Sequence, residues 1–408
     1  MRALQDPLFF TTPGACYNGT VTREKFLILE IAPKGTNGLF LSVDEDRAIT
    51  FERFARHEDL KKFFAFLRAP AQAVTQKTWE GKHFFKAHRK VVAVAHPSLA
   101  TTIPVPLELH RDHTALKTKL TVAELENLIA QEMAKIFTGC RTEAAARMGV
   151  HDLDTVLVGA KAKQFMADGK AVVSPVGLQA KKIGFLLELT FTRRPLFEDL
   201  KQFFSSPEDF FFAEAPQAHL SSLARVRKLP LALIASEEDG AALYILTKAK
   251  GEHPVLYRER LDWSFDSLVK AVTASLGVSK ATARTLYCAY HRGATSESAA
   301  RSFKKMVDLP LRRFFGALER AKVNGSVYLD LPHPLPLELP YAHAGAKIEE
   351  HPVRELVAEL GFTLPEGAFK EGRNSLTRAL VYFLEAYFDK SNSEINQKLR
   401  RRLHWLVE

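Results

Sequence analysis

The residues best equipped for chemistry lie at the end of the chain, in Ser391-Asn-Ser-Glu394-Ile395-Asn-Gln-Lys398-Leu399-Arg400-Arg401-Arg402-Leu403-His404-Trp405-Leu406-Val407-Glu408. At about 100° per residue, Ile395, Leu399, Leu403 and Leu406 fall on one helical face, with Trp405 beside it. Lys398, Arg400 and Arg401 take the other side, and Arg402 stands at the border. Ser391 and Glu394 have capping-box spacing, which gives the helix a start signal. Such a helix is built to lie in a bilayer interface, where apolar burial and attraction to anionic headgroups reinforce each other. The competing expectation is a last helix docked on the core. Three consecutive arginines beside Trp405 favour the membrane.

Other constellations are weaker. The 14 histidines are dispersed, and His110-Arg111-Asp112-His113, beside Pro104 and Pro106, reads as a solvated connector rather than a metal site. Cys16, Cys140 and Cys288 form neither a disulfide framework nor a CxxC motif, which points to a reducing cytoplasm. No GxSxG, P-loop or HExxH motif occurs. The pairs Arg193-Arg194, Lys304-Lys305 and Arg312-Arg313 lack interleaved aromatics, so they read as solvated faces and no nucleic-acid partner is expected.

The elements that must carry this arm are those of a globular α/β protein. The chain has 408 residues, is 46% hydrophobic and carries a net charge of +10, enough for two to four subdomains with real cores. Apolar runs predict strands at 25–31, 39–43, 48–51, 90–95, 154–158, 182–191, 229–235, 241–246 and 326–329. Helices are predicted at 59–68, 71–83, 121–137, 196–204, across 264–322 and at 373–388. The helix from Thr121 has a capping box with Glu124 and a stripe of Leu125, Leu128, Ile129, Met133, Ile136 and Phe137. No stretch reaches transmembrane length, and the first residues lack the apolar core of a signal peptide. The expected location is therefore cytoplasmic and peripheral, on the inner face of the cell membrane.

Ser174-Pro175-Val176-Gly177-Leu178, then Lys182-Ile183 and an alternating strand ending Thr190-Phe191-Thr192, resembles the insertion domain of FtsA, the bacterial cell-division actin homologue. In that family a stretch of the type D-P-(V/I)-G-(M/L)-x-G precedes a Leu/Val-rich strand and a helix like 196–204. The helix beginning Leu120-Thr121-Val122-Ala123-Glu124-Leu125-Glu126 is similar to that of the same module. PilM, the pilus-assembly relative, shares fold and insertion, and the arm separates the two. The resemblance implies an α/β, actin-like (ribonuclease H-like) two-lobed fold with an inserted strand–helix–strand–strand domain and a C-terminal amphipathic helix. The implied division is 1–98 with 196–228 for the first lobe, 99–195 for the insertion, 229–390 for the second lobe and 391–408 for the membrane-targeting helix.

Actin-type ATPases need an acidic residue and glycines where strand turns approach the phosphates, since only glycine lets the backbone N–H groups come close. The first turn, D-x-G-(T/S) in the family, falls at Leu29-Glu30-Ile31-Ala32-Pro33-Lys34-Gly35-Thr36. Glu30 replaces the aspartate, Ala32 replaces the glycine, and Pro33 removes a donor. The second falls at Ile234-Ala235-Ser236-Glu237-Glu238-Asp239-Gly240, where acids replace glycines and would repel a triphosphate. The adenosine turn falls at Asp330-Leu331-Pro332-His333, without its glycines. This predicts a pseudo-ATPase with no catalytic residues, no metal and no cofactor, ATP binding only if the degenerate positions Glu30, Gly35, Thr36 and Gly240 still hold it. Both a residual phosphate contact and an ordinary hairpin turn remain open for Lys34, Gly35 and Thr36.

The resemblance then implies an FtsA-like scaffold that tethers the FtsZ polymer, by its C-terminal peptide, to anionic inner-membrane lipid. Self-association into filaments is also implied, with the FtsZ tail bound somewhere within 264–325. The alternatives are a PilM-like cytoplasmic platform of a type IV pilus or secretion assembly and, from another class, an active actin-fold ATPase or sugar kinase.

Overall fold

The computed structural model describes residues 23–68, 89–111, 118–204, 209–237, 240–248, 254–331, 334–365, 374–389 and 394–399. The helix expected at 71–83 lies outside them. Two compact units emerge, Met1–Val226 with Val353–Glu408, and Arg227–Pro352.

The first unit begins with an antiparallel meander of β1 (Glu24–Ala32), β2 (Gly35–Val43) and β3 (Ile49–His57), then α1 (Leu60–Arg68) and β4 (Arg89–Ala95), parallel to β1. The apolar run in β1 is explained by cover on both faces. Leu27, Leu29 and Ile31 join Phe63 and Phe64 of α1 in one core, while Phe26 on the opposite face meets Phe383 edge-on at 5.0 Å.

After β4 the sheet is interrupted by a separate four-stranded sheet. It comprises β5 (Ala100–His110), α2 (Val122–Met148), β6 (Thr155–Ala167), β7 (Lys170–Ala171) and β8 (Lys182–Arg193), in the order β5-β8-β6-β7. The Thr121 hydroxyl caps α2 by accepting from the Glu124 N–H at 3.1 Å, and Gly149 ends it in the left-handed region at φ 67°. Leu125, Ile129 and Met133 are buried as expected. The helix runs beyond 137 to Met148, because its inward face continues through Cys140, Ala144 and Met148 behind a polar stretch that reads as a break.

Sequence reasoning missed β5, which holds Pro104 and Pro106 and ends at His110. Residues 110–111 are thus a strand end and its neighbour rather than a solvated connector. Arg111 is 7% exposed, with its guanidinium forked on Glu124 at 2.8 and 3.0 Å. Prolines are tolerated in β5 because it is an edge strand.

The chain then returns through α3 (Arg194–Phe204), β9 (Phe210–Glu214) and α4 (Ala215–Leu223), completing a sheet ordered β3-β2-β1-β4-β9.

The second unit repeats the plan. A meander of β10 (Leu231–Glu237), β11 (Gly240–Lys248) and β12 (Pro254–Leu261) leads into α5 (Phe265–Leu276), α6 (Lys280–His291) and α7 (Glu297–Arg320). Next come β13 (Gly325–Asp330), parallel to β10, then β14 (Tyr341–His343) and β15 (Ala346–Ile348), which is parallel to β13. Its order is β12-β11-β10-β13-β15-β14. In each unit three antiparallel strands are followed by two that run parallel to the first, in the spatial order β3-β2-β1-β4-β9 and β12-β11-β10-β13-β15, with β14 as an additional antiparallel edge in the second. That duplicated topology is the ribonuclease H-like arrangement of the actin-like fold.

The remaining helices, α8 (Val353–Glu359) and α9 (Asn374–Tyr387), correct the expected second-lobe boundary at 390. Residues 353–389 belong to the first unit, where α9 packs on α4 and on β1, β2 and β4. The apolar α9 face Leu376, Ala379, Leu380 and Phe383 had no sequence signal for which sheet it would cover.

Candidate functional site

The first phosphate turn is a two-residue hairpin, Pro33-Lys34, between Ala32 and Gly35, which pair with each other. Gly35 sits at φ +147°, and a Cβ there would stand 2.9 Å from the His57 carbonyl oxygen of β3. The approach of a neighbouring strand therefore accounts for this glycine. Thr36 is 1% exposed, and its hydroxyl has no hydrogen-bond partner among the described residues. Glu30, in the place of the acidic residue, is engaged internally: Arg378 Nε of α9 lies 2.6 Å from Oε1, and Asn37 Nδ2 donates to Oε2 at 2.8 Å. On either side of the second turn, Glu237 pairs with Gly240. Glu238 and Asp239, like Pro332 and His333 of the adenosine turn, lie outside the described residues. Among the described residues no group of three or more His, Cys, Asp or Glu could hold a metal ion.

The arm departs from expectation. Residues 394–399 are helical, but Ile395 and Leu399, assigned to the membrane, are 6% and 0% exposed and belong to the core of the inserted domain. Between them, Asn396 is 2% exposed. Its side-chain amide accepts from the Ala162 N–H of β6 at 2.8 Å and donates to the Ala162 carbonyl at 3.2 Å. One amide thus makes the pair of bonds that an adjoining strand would make. Lys398 is half-buried and pairs with Glu394 at 3.2 Å within the arm. Arg400, Arg401, Arg402, Leu403, Trp405 and Leu406 lie outside the described residues. The correction has a simple cause: a helical face that suits a bilayer equally suits a protein core. No described helix is long and apolar enough to cross a membrane.

A feature that sequence reasoning missed is a cleft of about 20 Å³, lined by the inserted sheet, β9, α4 and α9. That is room for about one water. Lys163 Nζ lies 2.7 Å from Glu188, Lys161 Nζ 2.9 Å from Asp389 and 4.8 Å from the Phe211 ring centre, and Arg225 2.8 Å from Glu385. Burial disfavours charge on Lys163, but the carboxylates of Glu188, Glu385 and Asp389 outweigh it and hold its pKa above the ordinary value. Burial pushes the Glu385 carboxyl up, with Arg225 and Lys163 pulling against it. Lys161 and Lys163 line it with Glu188 and Glu385, and Asp389 and Arg225 stand behind as their partners, so the cleft is balanced in charge and does not suit a triphosphate. The available signal was Glu188, a lone acid in the otherwise apolar run Ile183–Phe191 read as a strand.

Comparison with known proteins adds little beyond the fold. No family model matches the chain, and no curated protein matches it. Among solved structures, the PilM-PilN type IV pilus biogenesis complex is 14% identical, covering 94% of this chain and 98% of that one, with a TM-score of 0.48. A protein of Bacteroides thetaiotaomicron with an actin-like ATPase fold and unknown function is 9% identical, covering 88% and 95%, at 0.33. The ethanolamine utilization protein EutJ from Carboxydothermus hydrogenoformans is 8% identical, covering 89% and 88%, at 0.32. These scores are low, and the fold assignment rests on the duplicated strand order.

Proposed function

We propose that this chain is a non-hydrolysing scaffold on the actin-like fold, acting by holding partners together. The observation that carries this reading is the internal engagement of Glu30 by Arg378 and Asn37 at the turn where an ATPase would present a free carboxylate. A ligand stabilises only the state that binds it. Millimolar ATP with magnesium is expected to leave the melting temperature unchanged and to release no phosphate. A magnesium-dependent thermal shift would overturn the reading.

The finer reading is an FtsA-like cytoplasmic tether between FtsZ and anionic lipid at the inner membrane face. Its support is the sequence beyond Leu399, where Arg400, Arg401 and Arg402 adjoin Leu403, Trp405 and Leu406. A second reading is a PilM-like platform for a partner's peptide, supported by the burial of Ile395 and Leu399 in the inserted domain, where a membrane anchor would leave them free. Titration of labelled peptides taken from FtsZ and from PilN, read by fluorescence anisotropy, separates the two. Saturable binding of the FtsZ peptide alone supports the tether, and of the PilN peptide alone the platform.

A further inference from the structure

Ile395, Leu399, Leu403 and Leu406 have the sequence spacing of one helical face. The half of that face lying within the described residues is already occupied. Ile395 and Leu399 are sealed in the inserted-domain core, and Asn396 caps Ala162 on the side of β6 away from β8. A short isolated helix is unstable in water, so the order of 394–399 comes from this docking. One face cannot lie against β6 and in a bilayer together.

We infer that the outer edge of β6 is a docking site for this chain's own C-terminal arm, in competition with an anionic membrane. The inference rests on the membrane reading above. In the docked state the Ala162 N–H and carbonyl are satisfied and the apolar pair is dry. In the attached state the bilayer takes Ile395 and Leu399 together with Leu403, Trp405 and Leu406. Ala162 is then left bare on an open strand edge, which is a template for pairing. Attachment and exposure of β6 are two outcomes of a single release. The charged groups around the arm fit a reversible contact: Lys398 is neutralised within the arm by Glu394, and Lys161 of β6 is held by Asp389 before it. None of these cross-links the arm itself to β6. Asn396 is a polar tie between the arm and β6, made to the backbone of Ala162.

The test uses the full chain, wild type and Asn396→Ala, with vesicles of one-third phosphatidylglycerol in phosphatidylcholine. Binding is read by sedimentation, and β6 by amide hydrogen exchange. Losing Asn396 is expected to tighten vesicle binding roughly fivefold, the effect of about one net hydrogen bond. Exchange across 155–167 should quicken in the variant, and in the wild type once vesicles are added. If the wild type binds vesicles while the variant binds no tighter, or β6 stays protected on the vesicle, the competition is overturned and the membrane reading survives. If neither protein binds, the membrane reading itself falls and takes the inference with it.

Discussion

Arg378 Nε of α9 stands 2.6 Å from Glu30 Oε1 at the end of β1, across a separation that no local sequence pattern connects. The pair ties α9 to the β1–β2 hairpin. With side chains 14% and 26% exposed, its stabilisation falls short of that of a fully buried pair. Arg378→Ala is expected to cost about 1–3 kcal/mol, below the ~3–5 of a buried pair. Chemical denaturation measures this. A neutral result would mean that Glu30 does not depend on Arg378, and would reopen the turn to other ligands.

Ile129 is fully buried on α2 against the inserted sheet. Ile129→Ala should cost about 2–5 kcal/mol by loss of burial and creation of a cavity. A change close to zero in urea titration would mean that the helix is not packed there.

Asp266, near the start of α5, bonds Lys280 Nζ at 2.7 Å and Arg284 at 3.1 Å, both from α6. The bond from Lys280 lowers its pKa most, burial opposes it, and Arg284 adds to the lowering, so the carboxyl sits below its ordinary 3.8. A depressed carboxylate contributes stability above the unfolded pKa and loses it as pH falls through the folded one. The contribution should therefore be intact at neutral pH and fade below about pH 3.8. At 36% exposure it amounts to about 0.2–1 kcal/mol. Asp266→Asn should lower stability by that amount at pH 7 and by nothing at pH 2, as followed by urea denaturation. An equal loss at both would exclude the ionic origin.

The arm offers a pair of contrasting substitutions. Leu399→Ala, at a fully buried site, should destabilise the first unit by about 2–5 kcal/mol. Trp405→Glu is expected to leave the melting temperature in place and abolish salt-sensitive sedimentation with anionic vesicles. Unchanged sedimentation of Trp405→Glu would remove the arm as the membrane anchor.

What could be read in advance was local. The β1–β2 hairpin, the Thr121 cap and the apolar stripe of α2 each depend on residues within a turn or two of one another. The attachment of α9 to the first unit depended on Phe383 finding Phe26, and the fate of the arm on Asn396 finding Ala162. Both are long-range contacts that periodicity does not encode. The cleft escaped notice because its ion pairs join different elements, so no single segment shows both charges. Lys161 and Lys163 alternate along β6 like any solvated strand face.

The outward side of β5, and the part of β6 that the two-residue β7 leaves uncovered, are closed by different means. On β5, the Thr102 N–H points away from β8 to Glu214 at 2.7 Å, and Pro104 and Pro106 follow at the same alternation with no N–H to offer. That edge is closed by two prolines and by a carboxylate lent from β9. On β6 the seal is Asn396, borrowed from a distant stretch of chain. Excised as a fragment, residues 99–195 would lose Glu214 as well as Asn396; Pro104 and Pro106 would still guard β5, so its molecules should stick through β6 and disperse when a peptide spanning 394–399 is supplied in trans.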